Sequence, residues 1–285
     1  MGLLGVDIFF VISGYVICSA LLREFAAQGR ISIRAFYYRR AFRILPPLWC
    51  YLTVVAVLGV SHLIQTPPRE IAKAALFLCN MPGMSFSWNV QHTWSLAYEE
   101  QFYIIAPLVL SIVTPRKKHL LAIALCGMAL LLIVLFALHE GAVAGFMDKF
   151  EFLFCGVVMA LYSKELEELL KGLPPIVAYI GIGFVFVVYA CPPRAIHTVT
   201  EILVVCPFIG GWLLYTSRVP CRLGRFLSCR PMTEIGRASY GIYLWQQLAT
   251  GNYEGAGALF YTRRARSRSA TFSGENVAWE KSINI

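Results

Sequence analysis

Apolar residues run through this chain in blocks close to the roughly 20 that a helix needs to cross a bilayer. The blocks are 3–22, 44–64, 94–113, 120–138, 146–162, 176–191, 199–215 and 235–250. They predict an all-α, polytopic transmembrane helix bundle of about eight spans. A further apolar stretch, 71–78, is too short to cross and belongs at the interface or in a loop.

The polar intervals set the orientation, because cytoplasmic loops accumulate Lys and Arg. The first interval carries Arg23, Arg30, Arg34, Arg39, Arg40 and Arg43, and the next only Arg69 and Lys73. Arg116, Lys117 and Lys118 are then followed by Lys149 alone, Lys164 and Lys171 by Arg194 alone, and the last interval holds Arg218, Arg222, Arg225, Arg230 and Arg237. Basic-rich and basic-poor loops alternate as a multi-pass protein requires. The interval with Arg23 is therefore expected in the cytoplasm and 65–93 outside it.

Two features fit this alternation poorly. It places Met1 outside with no span before it, so a preceding span is expected. It also places everything after Thr250 outside, although that stretch holds Arg263, Arg264, Arg266 and Arg268 and reads as polar and unpatterned from Ser267. Either block 235–250 does not cross, or the basic tail is foreign to the fold. The expected division is a membrane domain over 1–250, N-terminally incomplete, and a basic, disordered tail over 251–285.

Composition agrees with the membrane reading: 58% of the 285 residues are hydrophobic and 14% charged, against about 25% charged in soluble chains. Mean hydropathy is +0.64. The net charge of +9 is accounted for by cytoplasmic anchoring, and no nucleic-acid partner is expected. Nine scattered cysteines form no CxxC pair and read as small buried hydrophobes. The five histidines have no HxxxH spacing, so no metal site is expected. There is no P-loop, GxGxxG or internal repeat.

Two stretches carry candidate chemistry. In FYYRRAFRILPPLW (36–49), helical spacing turns Arg39, Arg40 and Arg43 to one side at the cytoplasmic mouth of a span, with Pro46 and Pro47 starting or kinking it. Guanidinium suits bidentate phosphate contact; the same cluster also suits plain anchoring to anionic lipid heads. In WSLAYEEQFY (94–103), Ser95, Glu99 and Tyr103 recur at i, i+4 and i+8 as one polar stripe, while Glu100 points about 100° away. Glu99 is the inward carboxylate, and an ionisable group inside a span marks a functional site. The alternative is a solvated tether at the outer interface. His92 precedes the stripe and can share its face.

These stretches, with GVDIFFVISGYVI (5–17) before them and ASYGIYLWQQ (238–247) after, resemble in order and spacing the integral membrane acyltransferase 3 family, which includes O-antigen and exopolysaccharide O-acetyltransferases. The resemblance extends over residues 5 to about 250. It implies an enzyme of the inner (plasma) membrane that moves an acyl group, usually acetyl, from cytoplasmic acyl-CoA to a hydroxyl of a cell-surface glycan such as lipopolysaccharide. No permanently bound cofactor is implied; acetyl-CoA is the donor substrate. Arg39, Arg40 and Arg43 match the family's RRxxRI and are implied to bind acyl-CoA. Glu99 matches the glutamate of WSLxxExxFY and is implied to be catalytic. Ser13, His92, Trp94, Ser95, Tyr103 and Tyr240 fall within the shared motifs and are candidates to bind substrate.

The chain also departs from the family. Members begin with a further span whose histidine is assigned as the catalytic base, and none of the five histidines here matches it. The expectation is that the chain as given turns over little, and that a form extended by that span is active. Gln246 stands where histidine often follows SYxxYLW. A non-enzymatic multi-pass protein, a transporter or a scaffold of polysaccharide assembly, is the second class; arginine-dependent coenzyme A binding separates the two.

Overall fold

The computed structural model describes residues 2–81, 86–112, 119–128, 149–174 and 204–250, with isolated positions between 176 and 187. Among these residues every regular element is helical: α1 (Gly2–Gln28), α2 (Ile33–Val60), α3 (Pro68–Ala75), α4 (Trp88–Gln91), α5 (Thr93–Ile112), α6 (His119–Met128), α7 (Phe150–Leu161), α8 (Ser163–Lys171), α9 (Cys206–Arg218), α10 (Arg222–Leu227) and α11 (Arg230–Thr250).

Among the described residues, two helices are long and apolar enough by themselves to cross a bilayer, at Leu4–Gln28 and Ile33–Val60. They correspond to the first two expected spans, with different ends. The second helix starts eleven residues before block 44–64, so the arginines ride on the membrane helix itself and the connection shrinks to 29–32. Pro46 and Pro47 lie inside it. They neither start nor end it, because the turns on both sides carry strong helix formers and packed side chains; Leu48, Tyr51 and Val55 are fully buried. At the end of α1, Gly29 takes a left-handed φ of 68° and its N–H reaches the Phe25 carbonyl at 2.8 Å, a helix stop that only glycine adopts without strain.

α5 reproduces block 94–113 within a residue. Block 71–78 falls on α3 and the turn after it, and blocks 120–138, 146–162, 199–215 and 235–250 on α6, α7, α9 and α11. The described parts of the remaining helices are shorter or more polar than a lone span requires, so the eightfold count stays an expectation. Most of block 176–191 and the tail 251–285 lie outside the described residues.

The core is built where α1 crosses α7. Gly14 and Gly156 meet there: a Cβ on Gly14 would strike the Leu153 carbonyl, and one on Gly156 would strike the Val11 carbonyl and the Tyr15 nitrogen. Bare backbone contact of this kind is how small residues bring membrane helices together. Phe10, Trp94, Tyr98 and Phe150 extend the seam toward α5 edge to face, with Tyr98 and Phe150 centroids 5.0 Å apart. Gly14→Ala and Gly156→Ala are each expected to destabilise by about 1–3 kcal/mol through overpacking. Gly5→Ala, where nothing lies within 4 Å of the new methyl, is expected to cost nothing and to gain about 0.5–1 kcal/mol from helix propensity. Thermal unfolding in detergent, followed by tryptophan fluorescence, checks all three.

Candidate active site

Helical periodicity alone turns Glu99 inward, and the fold then closes around it: Glu99 is 3% exposed, whereas Glu100 is half-buried. Two hydroxyls converge on one carboxylate oxygen. Ser13, from α1, donates to Glu99 Oε1, and Tyr103, one turn further along α5, donates to the same atom at 2.8 Å. Tyr103 also reaches Ser13 Oγ at 3.5 Å. Each donor comes from a different quoted motif, and the two motifs meet only because α1 packs along α5. Both donors fall on Oε1, and neither on Oε2.

The arginines meet this cluster from below. The Arg40 guanidinium lies 4.9 Å from the Tyr103 ring centroid and 5.8 Å from that of Phe36. Arg39, Arg40 and Arg43 together line a cavity of about 220 Å³, whose other walls are Ala20, Leu21, Glu24 and Phe36. Arg40 therefore belongs both to the cavity and to the environment of Glu99. The three guanidiniums gather on one side as their spacing requires, and Arg39 additionally pairs with Glu24 at 3.3 Å.

At the other end of the stripe, Ser95 shares a 2.5 Å hydrogen bond with the Tyr243 hydroxyl of α11, which also lies 2.5 Å from the His92 carbonyl. Ser95 and Tyr103 are eight residues apart, about 12 Å along a helix, so the polar line runs from His92 past Ser95 and Glu99 to Tyr103 and Arg40. His92 is buried between Tyr51 and Tyr243, ring centroids 5.5 and 5.3 Å away, and neither of its ring nitrogens has a hydrogen-bond partner. Burial pushes its pKa down to about 4, with the Leu244 carbonyl pulling weakly the other way. The ring is thus neutral at physiological pH and offers one donor and one acceptor.

Trp94 and Tyr240 make further contacts of their own. Trp94 packs its ring against Phe10 and Tyr98, and the Tyr240 hydroxyl donates to the Ile44 carbonyl at 3.1 Å, tying α11 to α2. Ser13 is occupied by Glu99. Two neighbours escaped the sequence reading. Tyr243 lies in the same SYGIYLW stretch as Tyr240, three residues on, and helical spacing puts both on one face. Glu24 carried no periodic signal, since its partner Arg39 lies across a loop. Among the described residues no group of three or more His, Cys, Asp or Glu side chains is placed to hold a metal, and the cysteines there are free.

The helices thus bring a shielded carboxylate beside an arginine-lined cavity. The chain belongs to the acyltransferase 3 family, whose domain profile, described as an acyltransferase domain, matches residues 1–272; its members are enzymes that transfer acyl groups. It is 27% identical over 274 residues to O-acetyltransferase OatA of Staphylococcus aureus strains NCTC 8325 and COL, an alignment covering 86% of this chain and 45% of the relative. A further protein of strain COL, with a provisional O-acetyltransferase name, is 30% identical over 278 residues with the same coverages. The chain thus spans less than half the length of these relatives. No solved structure matches it.

Proposed function

We propose that the chain is a multi-pass O-acyltransferase of the cell membrane, which receives an acetyl group from acetyl-CoA at the arginine cavity and passes it to a hydroxyl of an exported or cell-surface glycan. The observation that carries this reading is the double position of Arg40, which lines the cavity and covers the Tyr103 ring beside Glu99. Donor phosphates need cations on the cytoplasmic side, where the loop charges put them, and the acyl group must end near a residue that handles a proton.

In the reaction the acceptor oxygen attacks the thioester carbonyl, a C–O bond forms, the C–S bond breaks, and the hydroxyl proton passes to the departing thiolate to give free coenzyme A. The Glu99 Oε2 oxygen takes that proton or orients the base that does. Ser13 and Tyr103 fix the carboxylate, and fixed geometry is what proton transfer needs. His92, at the far end of the polar line, suits an acceptor hydroxyl, which both gives and takes a hydrogen bond.

Arg40→Lys tests the donor half. Lysine keeps the charge but loses the planar fork, so acetyl-CoA binding by the purified protein in nanodiscs is expected to weaken about tenfold, the loss of one charge-assisted hydrogen bond of about 1.5 kcal/mol. Equal binding by the two proteins would return the cluster to lipid anchoring. Topology is checked by single-cysteine labelling in intact cells. A cysteine at position 69 is expected to react with an impermeant reagent and one at position 34 to be silent.

A further inference from the structure

The cavity has an acidic wall. Glu24, on the last turn of α1, is 15% exposed at its side chain, against 63% for Arg39. Its two oxygens have separate partners: Oε1 accepts the Ser32 backbone N–H at 2.8 Å, and Oε2 accepts Arg39 Nη2 at 3.3 Å. A carboxylate inside a pocket for an anionic ligand needs a reason, because it repels that ligand and already holds one of the three guanidiniums.

We propose that Glu24 is a built-in counter-anion on Arg39, which a ligand with a second phosphate group displaces and a singly charged anion leaves in place. The proposal rests on the reading of the cavity as the donor-phosphate site. A single anionic group gains little at Arg39, since it only replaces one carboxylate by another anion. A ligand with two phosphate groups occupies Arg40 and Arg43 with one and takes Arg39 from Glu24 with the other. The Ser32 N–H keeps the displaced carboxylate tethered at the cavity rim, ready to return when the ligand leaves. Phosphate chemistry of this kind is offered by a soluble coenzyme with several phosphates and also by the phosphodiester of a lipid such as phosphatidylglycerol, which carries one charge; the need for a second phosphate at Arg39 favours the soluble source.

Glu24→Gln isolates the charge, because the amide oxygen still accepts from Ser32. The probes are adenosine 3′,5′-bisphosphate and inorganic phosphate, titrated into the purified protein in phosphatidylcholine nanodiscs. Glu24→Gln is expected to tighten adenosine 3′,5′-bisphosphate by about two- to fivefold, the range of a partly exposed ion pair, and inorganic phosphate by less, since it needs only Arg40 and Arg43. In an Arg39→Gln background the same substitution is expected to have no effect, since the pair it breaks is already gone; a purely structural role of Glu24 would persist there. Replacing part of the lipid by phosphatidylglycerol is expected to leave bisphosphate binding to the wild type intact. Arginine-dependent bisphosphate binding that Glu24→Gln leaves unchanged or weakens would overturn the proposal alone, as would strong competition by phosphatidylglycerol. Wild-type binding that ignores Arg40→Lys would remove the donor reading and this proposal with it.

Discussion

In a form of the protein that carries out acetyl transfer, Glu99→Gln is expected to lower the rate by about 10²- to 10⁴-fold, the contribution of a positioned proton-transfer group. Glutamine is nearly isosteric, and its amide oxygen can still accept from Ser13 and Tyr103; what disappears is the second acceptor oxygen and the charge. Fold and donor binding are therefore expected to survive, and the assay, labelled acetyl-CoA with membranes carrying each protein, should show the loss in turnover with acetyl-CoA affinity kept. Tyr103→Phe and Ser13→Ala remove one donor each and are expected to lose less, because the remaining hydroxyl still holds Oε1. A Glu99→Gln protein with full transfer activity would demote the carboxylate to a tether of the helix.

The ranking of Glu99 over Glu100 was legible in the sequence because it needs only the 3.6-residue period and one apolar side to the helix. The convergence of Arg39, Arg40 and Arg43 was legible for the same reason. What periodicity cannot supply is the register between helices. Ser13 was placed as a substrate contact from its motif, and only the packing of α1 on α5 makes it a partner of Glu99. Tyr240 was placed likewise, and the packing adds that its hydroxyl joins α11 to α2. Helix ends were misjudged where polarity was taken as loop. The arginine-rich stretch before block 44–64 is helical from Ile33, since arginine is a good helix former and hydropathy marks where a bilayer ends, which is a different boundary from the end of a helix. Glu24 shows the limit most clearly: its role depends on a turn at Gly29 that brings the end of α1 back beside α2, and nothing in the spacing from Glu24 to Arg39 announces it.

The burial of His92 gives the last expectation, a change of stability with acid. Its pKa stands near 4 in the fold against an ordinary 6.5, so between those values the unfolded chain binds a proton that the folded one refuses. Stability from this residue is therefore complete above pH 6.5, falls as pH drops toward 4, and levels off below; the gap corresponds to about 3 kcal/mol, a large share of the ~5–15 kcal/mol that holds a typical domain. The loss has its physical origin in burial: the ring is enclosed by Tyr51 and Tyr243, and among the described residues its nitrogens have no hydrogen-bond partner. His92→Gln keeps a donor and an acceptor but does not titrate, so its unfolding temperature in detergent should fall less steeply between pH 6.5 and 4 than that of the wild type, whatever its value at pH 7. Parallel curves would mean that the imidazole meets its proton without penalty, through a partner or water at the ring. That result would also weaken the case for His92 as the neutral donor and acceptor that meets an incoming hydroxyl, because the same unpaired nitrogens carry both expectations.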